Sequence, residues 1–221
     1  MAQAALLLLA DGRFPSGGHA HSGGLEAVVA TGGVRTVAQL DAFLRGRLAT
    51  AGLTAAALAA LSCAHAGQWA LLDDETDARV PSPALRLASR RQGRQLLRAG
   101  RVAWPGALLD GLSEALPDGP HHPVALGAVA AAAGLPPVSA ALVAASGSVT
   151  GPAAAAVRLL SLDPMAVSRV LADLSPAIDD LADRAAAAAR SPLRDLPAVS
   201  APLLDIGAEA HATWEVRLFA S

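Results

Sequence analysis

The stretch Phe14-Pro15-Ser16-Gly17-Gly18-His19-Ala20-His21-Ser22-Gly23-Gly24-Leu25-Glu26 concentrates more chemistry-bearing residue types than any other part of the chain. Two glycine pairs bracket His19 and His21, and neutral imidazoles suit Ni2+ or Zn2+. A complete site takes three or four ligands, and the other histidines available are His65, His121, His122 and His211. Two readings follow: a glycine-rich turn between helices, or half of a metal site. A phosphate-cradling loop is a poor match, because no lysine follows and no strand precedes. Ser22 is placed to cap the next helix, and Glu26 then lies in its first turn, near the positive end of the dipole.

Three other features carry charge or apolar surface in unusual places. Arg86, Arg90, Arg94 and Arg98 recur every four residues, with Arg91 and Arg101 beside them. That spacing makes one slowly drifting stripe on a helix. It reads as a solvated face or as a docking strip for acidic groups, to which arginine offers a bidentate fork. Arg158 ends a long uncharged run, either snorkelling outward or paired at an interface. The end of the sequence, Trp214 to Ser221, carries Val216, Leu218 and Phe219, where termini are ordinarily polar and frayed. Such a tail either folds back into the core or anchors in a partner, where Trp and Phe make good hot spots.

No catalytic set emerges. Cys63 and His65 are two apart on an alanine-rich helix and point in different directions. Asp73, Asp74 and Glu75 read as a solvated acidic loop, and Asp179, Asp180 and Asp183 as a helix start. All 17 Lys+Arg residues are arginine, which removes the lysine-dependent P-loop and Schiff-base chemistries. A net charge of −2 argues against nucleic acid as a partner. A single cysteine forbids an internal disulfide and fits a reducing compartment. The apolar start lacks the basic lead-in and cleavage site of a secretory signal, so the expected location is the cytoplasm. The uncharged run from His122 to Ala156 is broken by Pro136, Pro137 and Pro152. It is rich in alanine and glycine, and is expected to form buried helices with no membrane span.

The elements that must position these residues are helices. The sequence is 53% hydrophobic and 3% aromatic, much of it alanine, the strongest helix former. No β-branched alternation occurs. Thr36 and Gln39 form a capping box ahead of an apolar stripe through Val37, Leu40, Leu44 and Leu48. Ser82–Pro83, Asp163–Pro164 and Ser175–Pro176 each read as an N-cap followed by proline at the first helical position. Gly100, Gly134 and Gly147 sit where helices can stop. The expectation is an all-α, single-domain bundle of roughly ten helices over 1–221. Helices are expected at 3–11, 23–32, 37–66, 68–78, 83–99, 105–115, 123–134, 137–147, 151–161, 164–173, 176–189 and 200–214. Residues 1–22 are read as a flexible N-terminal segment, and 214–221 as a partner-binding tail.

Four motifs in order resemble the urease accessory protein F (UreF) family. They are Phe14-Pro15-Ser16-Gly17-Gly18 with Ser22 and Gly24-Leu25-Glu26; His122-Pro123-Val124-Ala125 with Gly127; Ala156-Val157-Arg158-Leu159; and His211 with Arg217-Leu218-Phe219 and Ser221. The family has aromatics where this chain has His19 and His21, and a Glu where it has Ala212. The resemblance implies an all-α protein that is not an enzyme and has no cofactor of its own. It would bridge the accessory protein UreD (also called UreH) to the GTPase UreG and dock with them on apo-urease. GTP hydrolysis by UreG would then drive nickel insertion, with nickel handled by the complex. A homodimer is also implied. The residues expected to bind partners are Phe14, Pro15, Ser16, Gly17, Gly18, Ser22, Gly24, Leu25, Glu26, Arg158, His211, Arg217, Leu218, Phe219 and Ser221. The alternative is a nickel-binding chaperone built on His19, His21 and His121 or His122.

Overall fold

In the computed structural model, which describes residues 3–221, helix α4 (Leu53–Ala64) is buried on nearly all sides. The first two residues of the N-terminal segment expected over 1–22 lie outside the described residues. The sequence of α4, Leu-Thr-Ala-Ala-Ala-Leu-Ala-Ala-Leu-Ser-Cys-Ala, is apolar all round, the pattern of a helix enclosed by others. Around it pack α8 (His122–Ala132), α9 (Pro137–Leu160) and α10 (Pro164–Ala188). Small side chains let backbones approach closely. At Gly127 of α8 a Cβ would lie 2.3 Å from the Ala59 carbonyl oxygen, and Ser62 Oγ donates to the Val124 carbonyl at 2.8 Å.

The remaining helices wrap this centre. They are α1 (Gln3–Ala10), α2 (Leu25–Ala30), α3 (Val37–Arg47), α5 (Trp69–Arg79), α6 (Pro83–Ala103), α7 (Ala107–Ala115) and α11 (Pro202–Ala212). Among the described residues there is no strand. The Thr36–Gln39 capping box forms at the start of α3. A π-helical turn, Leu48–Gly52, joins α3 to α4 without a break, so the helix expected over 37–66 is one rod of 28 residues, Val37–Ala64. Ser82 and Asp163 cap α6 and α10 as their sequence predicts. Gly134 takes a left-handed φ of +71° at the end of α8, where the Leu135 N–H reaches back to the Ala130 carbonyl.

Several expected breaks are absent. The helices expected at 137–147 and 151–161 are one, α9, with Gly147 and Pro152 inside it. Those expected at 164–173 and 176–189 are also one, α10, so Ser175–Pro176 is not a helix start and Asp179, Asp180 and Asp183 lie mid-helix. An interior proline leaves the carbonyl four residues back without its helical donor. In α9 that carbonyl is Ser148, and Arg47 Nε donates to it at 2.9 Å. In α10 it is Ala172, which is exposed to water. Gly100 does not end α6, which continues to Ala103; a Cβ there would meet Val129 of α8 at 2.5 Å.

The 122–156 run divides into α8, too short to span a bilayer, and part of α9. The α3–α4 rod and α9 are long and apolar enough to cross a membrane, and 61% and 50% of their apolar windows are buried within the bundle.

Candidate functional site at the meeting of the two ends

Glu26, in the first turn of α2, is 8% exposed. Its carboxylate gathers the far end of the chain. Oε1 accepts from the Leu218 N–H at 2.8 Å, and Oε2 accepts from the Phe219 N–H at 3.0 Å. His211 Nε2, on α11, lies 2.8 Å from Oε2. Burial works to raise the Glu26 carboxyl; the hydrogen bonds from Leu218, His211 and Phe219 outweigh it and hold the group below its ordinary range. An ionised carboxylate only accepts, so His211 Nε2 carries the hydrogen. Trp214 packs on the His211 ring, with centroids 4.8 Å apart.

A second set of bonds closes the same junction. The Ser22 N–H and Oγ both donate to the Ser221 main-chain oxygen, at 2.6 and 2.8 Å. Ser22 Oγ also accepts from the Glu26 N–H at 3.2 Å. His21 Nδ1 lies 2.7 Å from Ser221 Oγ, and the Ala220 N–H reaches the Ala20 carbonyl at 2.7 Å. The tail therefore folds back as an added layer on the 20–26 turn. Phe219 is buried, and the Arg158 guanidinium lies 4.7 Å above its ring while the rest of Arg158 is exposed.

Ser22, Glu26, Arg158, His211, Leu218, Phe219 and Ser221 are thus brought together. Gly24 and Leu25 lie beside them, Leu25 fully buried. The first part of the motif points elsewhere. Phe14 is buried against Trp104, ring centroids 5.8 Å apart, Gly17 takes a left-handed φ of +78° beside Gln95, Pro15 and Ser16 lie between them, and Gly18 opens a short 3-10 turn to Ala20. Arg217 is exposed and makes no ion pair among the described residues. The surface here also exposes large apolar side chains: Leu203 and Ile206 on α11, Val216 and Leu218 on the tail.

His19 is exposed, and His21 commits Nδ1 to Ser221. Burial first, then the nearby Arg91 and His19, push His21 down to about 4. Neither joins a convergent ligand set. Among the described residues the one that converges is Asp73, Asp77 and His121, which sequence reasoning missed. Asp73 is no loop residue: it lies within α5, buried. Its Oδ1 accepts from the His121 N–H, and its Oδ2 from Arg90 Nη1 at 2.6 Å. Asp77 Oδ1 meets His121 Nε2 and Oδ2 meets Arg90 Nη2, both at 2.8 Å. All four carboxylate oxygens have protein donors and the Arg90 guanidinium sits between them, so the group is a latch between α5, α6 and the start of α8. The signal lay in the spacing: Asp73 and Asp77, like Arg86 and Arg90, are four apart. The arginine stripe is accordingly neither fully solvated nor free: Arg86, Arg90 and Arg94 turn to Asp77, Asp73 and the Asp118 carbonyl.

Comparison with known proteins agrees with the motif pattern. A model of the UreF family matches residues 34–175. The chain is 50% identical over 218 residues, 98% of its length, to the urease accessory protein UreF of Mycobacterium sp. (strain JLS), of which it covers 97%. It is 46% identical to that of Mycolicibacterium vanbaalenii (99% of this chain, 98% of the relative) and 45% identical to that of Mycobacterium tuberculosis (99% and 98%). An all-helical chain that matches the family model over most of its length, and such relatives from end to end, belongs to the UreF family.

Proposed function

We propose that this chain serves urease maturation as a non-catalytic docking subunit in the cytoplasm. It bridges UreD (UreH) to the GTPase UreG and joins them to apo-urease for GTP-dependent nickel insertion. The observation that carries the reading is the junction at Glu26. It spends a buried carboxylate on fixing a terminal tail on which Val216, Arg217 and Leu218 are exposed, while α11, which carries His211, exposes Leu203 and Ile206. A preorganised apolar patch with a free arginine is suited to protein contact, because the ordering cost is met before the partner arrives. Pairing of two copies would use another exposed face, with Leu7 and Leu8 of α1 as the candidate. Membership of the family and the names of its relatives support urease as the destination.

The test is co-purification with UreD and UreG. Removal of 214–221 abolishes capture of UreD, and Glu26→Gln, which loosens the same tail without deleting it, weakens capture. Undiminished capture by both variants would remove the junction from the mechanism.

A further inference from the structure

Beneath the terminal junction lies a cavity of about 210 Å3, walled by the α3–α4 rod, α5, α6, the start of α8 and α11. Arg47, Ala51, Thr54 and Leu58 line it from one stripe of the rod. Arg47 spends Nε on the Ser148 carbonyl. Its two terminal nitrogens have no hydrogen bond or ion pair among the described residues, and Gly23 rests on it, where a Cβ would lie 3.1 Å from Cζ. Burial pushes this guanidinium down to about 10, with no opposite charge to restore it. Thr54 Oγ1 is buried and has no partner. From the end of α5, Arg79 gives its terminal nitrogens to Glu75 and the Leu193 carbonyl, while its buried Nε has none.

The one acidic lining residue is Asp205, whose carboxyl burial and the neighbouring Glu209 push upward. Glu75 balances Arg79. Asp205 offsets Arg47 in the formal charge count, but the two make no hydrogen bond or ion pair among the described residues, so the Arg47 fork stands beside two unspent donors. Buried donors are ordinarily paired. The space equals roughly seven water volumes, enough for a small tetrahedral or planar anion. We propose that this cavity binds a small free oxyanion of the size of inorganic phosphate, taken by the Arg47 fork with Thr54 Oγ1 and Arg79 Nε completing the shell. The inference concerns the chain alone and is independent of partner docking.

Calorimetric titration of the purified chain with inorganic phosphate, at ionic strength held constant with chloride, tests it. Saturable one-site binding is expected, accompanied by a rise in Tm. Arg47→Gln weakens binding by about tenfold and Thr54→Val by about threefold, the worth of one charged and one neutral hydrogen bond. Arg184→Gln, on the exposed face of α10 and outside the cavity, changes nothing. Because Arg47 also supports the Ser148 carbonyl, Arg47→Gln is read only if its urea transition stays cooperative; otherwise the near-isosteric Thr54→Val decides. Absence of saturable heat with the wild-type chain, a response that chloride reproduces, or full affinity in the deciding variant overturns the proposal.

Discussion

Glu26 shows how much one carboxylate can organise when it is buried with both of its oxygens engaged. Three donors converge on it, from two backbone amides of the tail and from His211. Hydrogen bonds to a charged group are worth more than neutral ones, and leaving their donors unpaired costs more still. Glu26→Gln keeps the shape but turns one acceptor into a donor that faces an N–H. The expected loss is about 2–3 kcal/mol in urea unfolding, with the amides of Leu218 and Phe219 exchanging with solvent far faster than in the wild type. Protection that survives the substitution would show that Phe219 burial alone holds the tail. Part of this site was legible beforehand: Ser22, Glu26, His211 and the tail stand out because their types are unusual for a turn and a terminus. What could not be read was that they meet, since Glu26 and Phe219 are 193 residues apart and no local rule links them. The Asp73–Asp77–Arg90–His121 latch was hidden for the same reason, although Asp73 and Asp77 carry helical spacing.

The helices were legible where local chemistry is decisive, as at the Thr36 capping box, the Ser82 and Asp163 caps and the left-handed Gly134. Reading failed where packing overrides a residue's habit. Pro152 and Pro176 continue their helices because the carbonyls they orphan are provided for: Arg47 donates to one, and the other belongs to Ala172, an exposed residue. Glycine divides the same way. At Gly127 the missing side chain is the condition for α8 to lie on α4. Gly127→Ala therefore costs about 1–3 kcal/mol through overpacking against backbone. Gly147, exposed inside α9 with nothing within 4 Å of a Cβ, is a plain propensity defect. Gly147→Ala gains about 0.5–1 kcal/mol. Denaturant midpoints of the two variants should move in opposite directions; movement in the same direction would mean that α8 and α4 adjust freely.

At the scale of the whole molecule, the arrangement makes stability depend on pH in a way that composition does not announce. His21 and His122 both stand near the junction. Burial pushes each down to about 4 from 6.5, Arg91 and His19 adding to it for His21, and His21 adding to it for His122. The unfolded chain therefore binds more protons than the folded one between those values. Stability from these groups is complete above 6.5 and drains away as pH falls towards 4. Below about 4.5, Glu26 and Asp77 act in the same sense, since hydrogen bonding holds both carboxyls below their ordinary values against the opposing effect of burial. Asp205, pushed upward, opposes them and gives back part of the loss. On the alkaline side Cys63, raised by burial from 9.0 to about 11, keeps its proton longer folded than unfolded, so its contribution is complete below 9 and lost as pH climbs to 11. The expected profile of urea midpoint against pH is a plateau between about 6.5 and 9 with a decline on each side. His122→Asn should flatten the acid limb between 6.5 and 4 while leaving the alkaline limb unchanged, and Cys63→Ala should do the reverse. An acid limb equally steep in His122→Asn would show that His122 takes up its proton in the folded chain without cost, and that His21 and the carboxylates set the acid stability of the bundle.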